Sequence, residues 1–294
     1  MRISVILATY NSPEWLEKVL CGYAFQSVRP HEFVIADDGS KSETFAAINR
    51  MRRDFKLPIE HVWHPDDGFR KCEILNKAIT AASGDYLIFS DGDCIPRRDF
   101  VEAHARFAAA KRFLSGGLVR LPRALSQQIE TNDISSQRAW SPAWLAKSGL
   151  QFDKKYIMIA APRRLSAVMD RLTTTRATWN GHNASGWKHD LVQVNGFDER
   201  MGYGGEDREL GERLVNAGVR PMQIRHRAIC LHLDHDRGYV DEQVIRSNQA
   251  LRAHIRRERI TWTEYGIVKR AADDGNASTL KADFNRSTAS RRAA

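Results

Sequence analysis

Long apolar runs, clustered cysteines and phosphate-loop glycines are all missing from this chain of 294 residues. No apolar stretch approaches the roughly 20 residues that cross a bilayer as a helix, and "ISVILA" at Ile3–Ala8 is too short for the apolar core of a signal peptide before polar "TYNS" begins. The four cysteines, Cys21, Cys72, Cys94 and Cys230, are widely spaced with no CxxC pair. That spacing argues against disulfides and zinc and fits small buried thiols in a cytoplasmic protein. Neither GxxxxGK[ST] nor a GxGxxG after the first strand is present, so P-loop and dinucleotide-binding readings lose their main support.

What is present is ordinary soluble composition with a formal charge of +9. Such a charge suggests an anionic partner: nucleotide phosphate, nucleic acid or an acidic membrane surface. The basic excess sits late, in "LRAHIRRERI" and "NRSTASRRAA", without the aromatic interleaving of a base-reading surface, so nucleic acid is not expected.

Over the first hundred residues apolar runs alternate with helical patterns: "ISVILA", a helix from Pro13, "EFVIA", a helix from Ser42, "IEHVW", a helix from Lys71 closed by Gly84, then "YLIFS". This alternation predicts an α/β fold with a mostly parallel open sheet flanked by helices. Ligands of such sheets bind beyond the carboxyl ends of the strands. Three strands end there in polar groups: Thr9-Tyr10-Asn11, Asp37-Asp38-Gly39-Ser40 and Asp91-Gly92-Asp93. In an extended chain Asp91 and Asp93 point the same way, so they either converge on a cation, Mg²⁺ or Mn²⁺ for oxygen ligands, or form an ordinary Asp-Gly turn.

Beyond Pro96 a helix is expected from Asp99 to Arg112, followed by a basic, weakly periodic stretch over residues 120–178. Within it "DKKYIMIAAPRRLSAVMDRL" reads as an amphipathic surface helix, an acceptor-covering loop or a membrane-surface contact. Residues 1–98 make one half, 99–240 the second, 241–270 a helical extension and 271–294 a flexible basic tail. Arg70 and Lys71 open a helix, where cations are unfavourable unless an anion lies nearby. In "YGGEDREL", Gly204 and Gly205 allow close backbone approach, and Glu206-Asp207 then serve either the helix dipole or as a general base. The strand "AICLHLDHDR" ends in His232 and His235, metal ligand or structural histidine.

Together, "SVILATYNSPEWLEKVLCGYAFQ", "FVIADDGS", "GDYLIFSDGDCIP" and the "GFDE…YGGEDREL" block resemble the family 2 glycosyltransferases of GT-A fold over residues 2–240. The last block is similar to galactosyltransferase-like and chondroitin-polymerase-like domains. The resemblance implies a donor-nucleotide set of Thr9, Tyr10, Asn11, Asp38, Arg70, Asn76 and Asp91, with Asp38 on the base. Asp93 and His232 would hold Mn²⁺ or Mg²⁺, with Asp91 and His235 as alternates. Asp207 is the implied base and Glu206 its helper at the acceptor. Asn183, in "WNGHNASGW", with Tyr203, Gly204 and Gly205, would shape the sugar and acceptor sites. Tyr203 departs from the Trp that related sequences carry there, which bears on the acceptor platform.

The implied activity is inverting, metal-dependent transfer from a nucleoside diphosphate sugar, UDP-linked, to a hydroxyl of a bacterial surface glycan or lipid-linked saccharide, in the cytoplasm or at the inner face of the membrane. A nucleotide-sugar pyrophosphorylase and a non-catalytic sugar-nucleotide sensor are the rival readings. The first would replace "ATYNSPEW" with a glycine-rich basic loop.

Overall fold

The computed structural model describes residues 1–151, 156–160, 162–236 and 240–269. The expected tail over 271–294 lies outside these residues. Strands β1 (Ile3–Thr9), β2 (Glu32–Asp37), β3 (Ile59–Trp63), β4 (Tyr86–Asp91), β5 (Cys94–Pro96), β6 (Arg112–Ser115), β7 (Gly117–Arg120), β8 (Ala184–Trp187), β9 (Arg220–Gln223) and β10 (Ile229–His232) form two sheets. The helices are α1 (Pro13–Ala24), α2 (Ser42–Asp54), α3 (Lys71–Ala81), α4 (Phe100–Phe107), α5 (Arg123–Gln128), α6 (Thr131–Ser135), α7 (Pro142–Lys147), α8 (Tyr156–Ala160), α9 (Arg163–Leu172), α10 (Lys188–Gln193), α11 (Glu206–Asn216) and α12 (Glu242–Glu258).

The large sheet runs β3-β2-β1-β4-β8-β6-β9. The first four strands are parallel, and β8 alone runs antiparallel to both its neighbours. Side chains alternate between two cores, as a sheet covered on both faces requires. Val5, Leu7 and Ile88 enter one core, with Leu16 and Leu20 of α1 and Ile48 of α2. Ile6, Leu87 and Phe89 enter the other, with Ile74 and Ala78 of α3 and Leu210 and Leu214 of α11. Because β8, β6 and β9 extend the same sheet, both expected halves of the chain share one framework.

The small sheet, β5-β10-β7, matters most for position. Its register sets His232 between Cys94 and Arg120, and Leu233 N–H donates to Asp93 C=O at 2.9 Å. Strand β10 thereby delivers its terminal histidine to the Asp91–Asp93 turn.

Four expectations need correction. The chain is not extended through Asp93: it turns at Gly92-Asp93, with Gly92 N–H donating to Ala8 C=O at 2.7 Å. The helix expected over Asp99–Arg112 spans only Phe100–Phe107, and Arg112 begins β6, because the apolar run there suits a buried strand between β8 and β9 of the large sheet. Gly84 does not cap α3, which ends at Ala81; a Cβ on Gly84 would stand 2.4 Å from Ser4 Oγ, so close approach to β1 requires it. The extension over 241–270 is helical only to Glu258. Beyond it the chain is tied down by Asn195, whose Nδ2 donates to Thr263 C=O at 2.7 Å and whose Oδ1 accepts from Val268 N–H at 2.7 Å.

Candidate active site

A cavity of about 790 Å³ opens at the carboxyl ends of β1, β2 and β4. Thr9, Tyr10, Asn11, Asp38, Asp91 and Asp93 line it, so the polar strand ends read from sequence do meet. Tyr203, Glu206, Asp207, His232 and His235 reach it from the second half of the chain.

On the β2 side each carboxylate is held. Asp37 accepts from Ser40 N–H at 2.8 Å and stands 2.9 Å from His61 Nε2. Asp38 accepts from Arg70 N–H at 3.0 Å and stands 2.8 Å from His64 Nε2, while Lys77 Nζ lies 3.2 Å from His64 Nδ1. An ammonium can only donate, so Nδ1 is the acceptor and Nε2–H donates to Asp38. Asn11, held at φ 47°, donates its N–H to Ser40 Oγ at 2.8 Å, and Tyr10 OH donates to Asp66 at 2.8 Å.

Asp91 and Asp93 take different cations. Lys71 Nζ donates to Asp91 Oδ1 at 2.9 Å. Burial disfavours the Lys71 charge, but Asp91, Asp207 and Glu206 together raise its pKa well above the ordinary lysine value. Asp93 Oδ2 lies 2.9 Å from His235 Nε2 and 3.6 Å from His232 Nε2, and Cys94 Sγ–H donates to Oδ1 at 3.3 Å. Burial pushes the Asp93 carboxyl up, yet the hydrogen bond from His235 and the charge of both histidines bring it below its usual range.

Ligand atoms of Asp93, Cys94 and His232 fall within 4.8 Å of one another. Burial drives the Cys94 thiol well above its usual pKa, so it stays protonated. The donors left are a carboxylate and imidazoles, a set that suits Mn²⁺ or Mg²⁺ with open positions better than a thiolate metal. His235 is nearer to Asp93 than His232, the histidine favoured from sequence.

Gly204 and Gly205, at φ 112° and 100°, turn the chain into α11, a conformation that suits residues without a Cβ. Glu206 Oε2 accepts from Gly204 N–H at 2.8 Å. Asp207 differs from every other acid here. Its Oδ1 is buried with no hydrogen-bond partner among the described residues, a condition worth about 1–3 kcal/mol of lost stability. Burial lifts its pKa to about 7, against the pull of Lys71 and a backbone bond from Gly181 and with the push of Glu206 and Asp91. A Cβ on Gly181 would meet that oxygen at 2.6 Å, so glycine is needed beside it. Thr9 Oγ1, also on the cavity, is buried and likewise has no hydrogen-bond partner among the described residues.

Several residues named from sequence do not line the cavity. Arg70 pairs its guanidinium with Asp67 and Glu73, and its neighbour Lys71 is the cation that reaches the site. Asn76 ties α3 to the GFDE loop, accepting from Phe197 N–H at 2.7 Å and donating to Phe197 C=O and Glu199 at 2.9 Å. Asn183 is buried between the sheets, donating to Gly117 C=O at 2.8 Å and Ala228 C=O at 3.0 Å, with its Oδ1 2.9 Å from His104 Nε2. Gly204 and Gly205 act through the backbone. Sequence reasoning missed His182, which lines the cavity and whose pKa burial lowers to about 4, leaving it neutral at pH 7. Its place after Asn180-Gly181, the turn against Asp207, was the available signal. It also passed over Trp15, Arg120 and Arg123 on the cavity wall.

The architecture is that of the GT-A fold. Among solved structures it resembles Staphylococcus aureus TarS 1–349 in complex with UDP-GlcNAc, with a TM-score of 0.59 at 16% identity over 86% of this chain and 66% of that one. It likewise resembles the mannosyltransferase PcManGT of Pyrobaculum calidifontis in complex with GDP-Man and Mn²⁺, with a TM-score of 0.57 at 20% identity over 88% and 64%. Residues 4–133 match the family model "Glycosyl transferase family 2", and residues 165–236 match "N-terminal domain of galactosyltransferase". Over residues 4–133 the chain is thus similar to the family 2 glycosyltransferases. Validoxylamine A glucosyltransferase of Streptomyces hygroscopicus subsp. limoneus is 27% identical over 271 residues, which is 86% of this chain but 56% of that relative's length.

Proposed function

We propose that this protein transfers a sugar from a nucleoside diphosphate sugar, UDP-linked, to a hydroxyl of a glycan or lipid-linked saccharide with inversion at the anomeric carbon. The observation that carries the reading is the buried, unpartnered Oδ1 of Asp207, in a carboxyl with pKa near 7, on the same cavity as Asp38 and the Asp93–histidine group. A carboxylate poised there accepts the proton of the attacking hydroxyl at working pH. The UDP-GlcNAc and GDP-Man complexes of fold neighbours support a nucleotide-sugar donor, and the Mn²⁺ of one supports a divalent cation.

On this reading residues 1–98 bind the donor and 99–240 supply the acceptor side. Asp38, fixed by His64 and Arg70 N–H, orients the base, and the β1 end from Thr9 to Asn11 borders it. Asp93 with His232 and His235 would hold the metal, which when bound supplies Lewis-acid stabilisation of the departing diphosphate. Lys71 adds positive charge beside Asp91. Glu206, braced by Gly204, positions the acceptor, and Asp207 takes its proton.

The test is a melting experiment with UDP, GDP and no nucleotide, each with and without Mn²⁺, on the native chain and on Asp93→Asn. A ligand that binds only the folded state raises its melting temperature. UDP with Mn²⁺ should stabilise the native chain more than either alone, and Asp93→Asn should lose that excess. Equal stabilisation in both proteins would remove Asp93 from the metal site. Donor binding with neither hydrolysis nor transfer to any acceptor would make the protein a sensor.

A further inference from the structure

Helix α9 is built inside out. A helix that packs on its own protein turns apolar side chains inward and polar ones outward. Along α9 the order is reversed. Ser166 and Asp170, one turn apart, are buried. Asp170 Oδ1 accepts from His226 N–H at 2.9 Å and stands 2.8 Å from His226 Nδ1, while Arg227 Nε lies 3.0 Å from Oδ2 as an ion pair. These polar contacts fix the helix to the segment between β9 and β10. The outward side carries Leu165, Val168 and Leu172 at 52%, 49% and 76% exposure, spaced i, i+3, i+7, so they form one stripe. Arg164 and Arg171, both exposed, stand four residues before and three after Val168 and therefore run along an edge of that stripe.

We propose that α9 is an interfacial helix by which the protein lies on an anionic lipid bilayer. An apolar stripe bordered by arginines is what that surface takes: aliphatic side chains enter the boundary between headgroups and acyl chains, and arginine stems lie along it with their charged ends on lipid phosphates. A net charge of +9 adds long-range attraction to the same surface. Three aliphatic side chains are too few for the core of a stable protein interface, which buries about 800 Å² on each partner. Shallow insertion needs no more than such a stripe. Among the described residues no helix is long and apolar enough to cross a membrane, so this contact would be peripheral. The inference stands on the geometry of α9 and does not depend on the identity of the donor.

The experiment is co-sedimentation of the full chain with vesicles of phosphatidylcholine alone and of phosphatidylcholine mixed with phosphatidylglycerol, at low and high salt. The native chain should bind the mixed vesicles and bind them less at high salt. The double variant Val168→Glu/Leu172→Glu should partition at least about 10-fold less, since each apolar contact is exchanged for a charge of the wrong sign. Arg164→Gln/Arg171→Gln should bind several-fold less and lose most of the salt dependence. Both variants should melt with the native chain, because every altered side chain is exposed. Failure of the native chain to bind, or undiminished binding by the glutamate variant, would overturn the proposal. So would self-association of the native chain that the glutamate variant abolishes without any vesicle binding, which would make the stripe a contact between copies.

Discussion

Asp38, on the β2 side of the cavity, has a hydrogen-bond donor on each carboxylate oxygen, whereas Asp207, on α11, has a buried Oδ1 with none among the described residues. Burial raises both carboxyls, but at Asp38 the bonds from His64 and Arg70 N–H, with the charge of Lys71, oppose it. Both carboxyls end above the ordinary value, Asp38 with that opposition and Asp207 up to about 7. The consequence for stability has a definite sign. A folded carboxyl titrating above its ordinary value favours the protonated state, so its contribution is full below the ordinary carboxyl range and is lost as pH rises through about 7. On the proposed reading, one side of the cavity holds a ligand in a fixed place, and the other keeps an acid destabilised enough to react. Both sit on rigid supports, which is what allows the difference to persist.

The largest effect should come from removing the support under α11. Arg213 and Glu209, both 0% exposed, form an ion pair one turn below Asp207, and Arg213 also donates to Val194 and Gly196 carbonyls. Arg213→Met leaves Glu209 buried and unpaired, so chemical denaturation should show a loss of about 3–5 kcal/mol, the scale for breaking such a pair. Next comes Gly181→Ala, whose new methyl would collide with Asp207 Oδ1. Displacing the carboxylate should lower kcat by on the order of 10- to 100-fold while the melting shift with UDP and Mn²⁺ is kept. The smallest effect belongs to His64→Gln. Glutamine retains a donor for Asp38 but not the ring geometry, so the donor KM should rise a few-fold with kcat unchanged, because only ground-state positioning is touched. A fall in kcat instead would break the division between holding and reacting sides.

The holding side was far more legible in the sequence than the reacting side. Three parallel strands ending in Thr9-Tyr10-Asn11, Asp37-Asp38 and Asp91-Gly92-Asp93 repeat one local pattern, and strand order then brings them together without further information. Glu206-Asp207 was found because paired glycines and a helix start leave a local mark. The rest depended on long-range packing. Nothing local says that β8 runs antiparallel between β4 and β6, that β10 joins a separate small sheet, or that His182 faces the cavity. Asn76 and Asn183 fit the family pattern, but the structure uses them to join elements 121 and 66 residues apart in sequence, through Phe197 and Gly117. Between Arg70 and Lys71, spacing alone gave no means of choosing which would pair with local acids and which would reach Asp91.

The most direct test of the contrast is the pH dependence of kcat/KM for transfer, measured beside Asp207→Asn from pH 5 to 9. The native chain should gain rate with pH through an apparent pKa near 7, as its buried carboxyl ionises to become the base. Asp207→Asn should be slower by roughly 10²-fold or more and show no such rise. A native profile flat across neutrality, or the same rise in both proteins, would contradict the account.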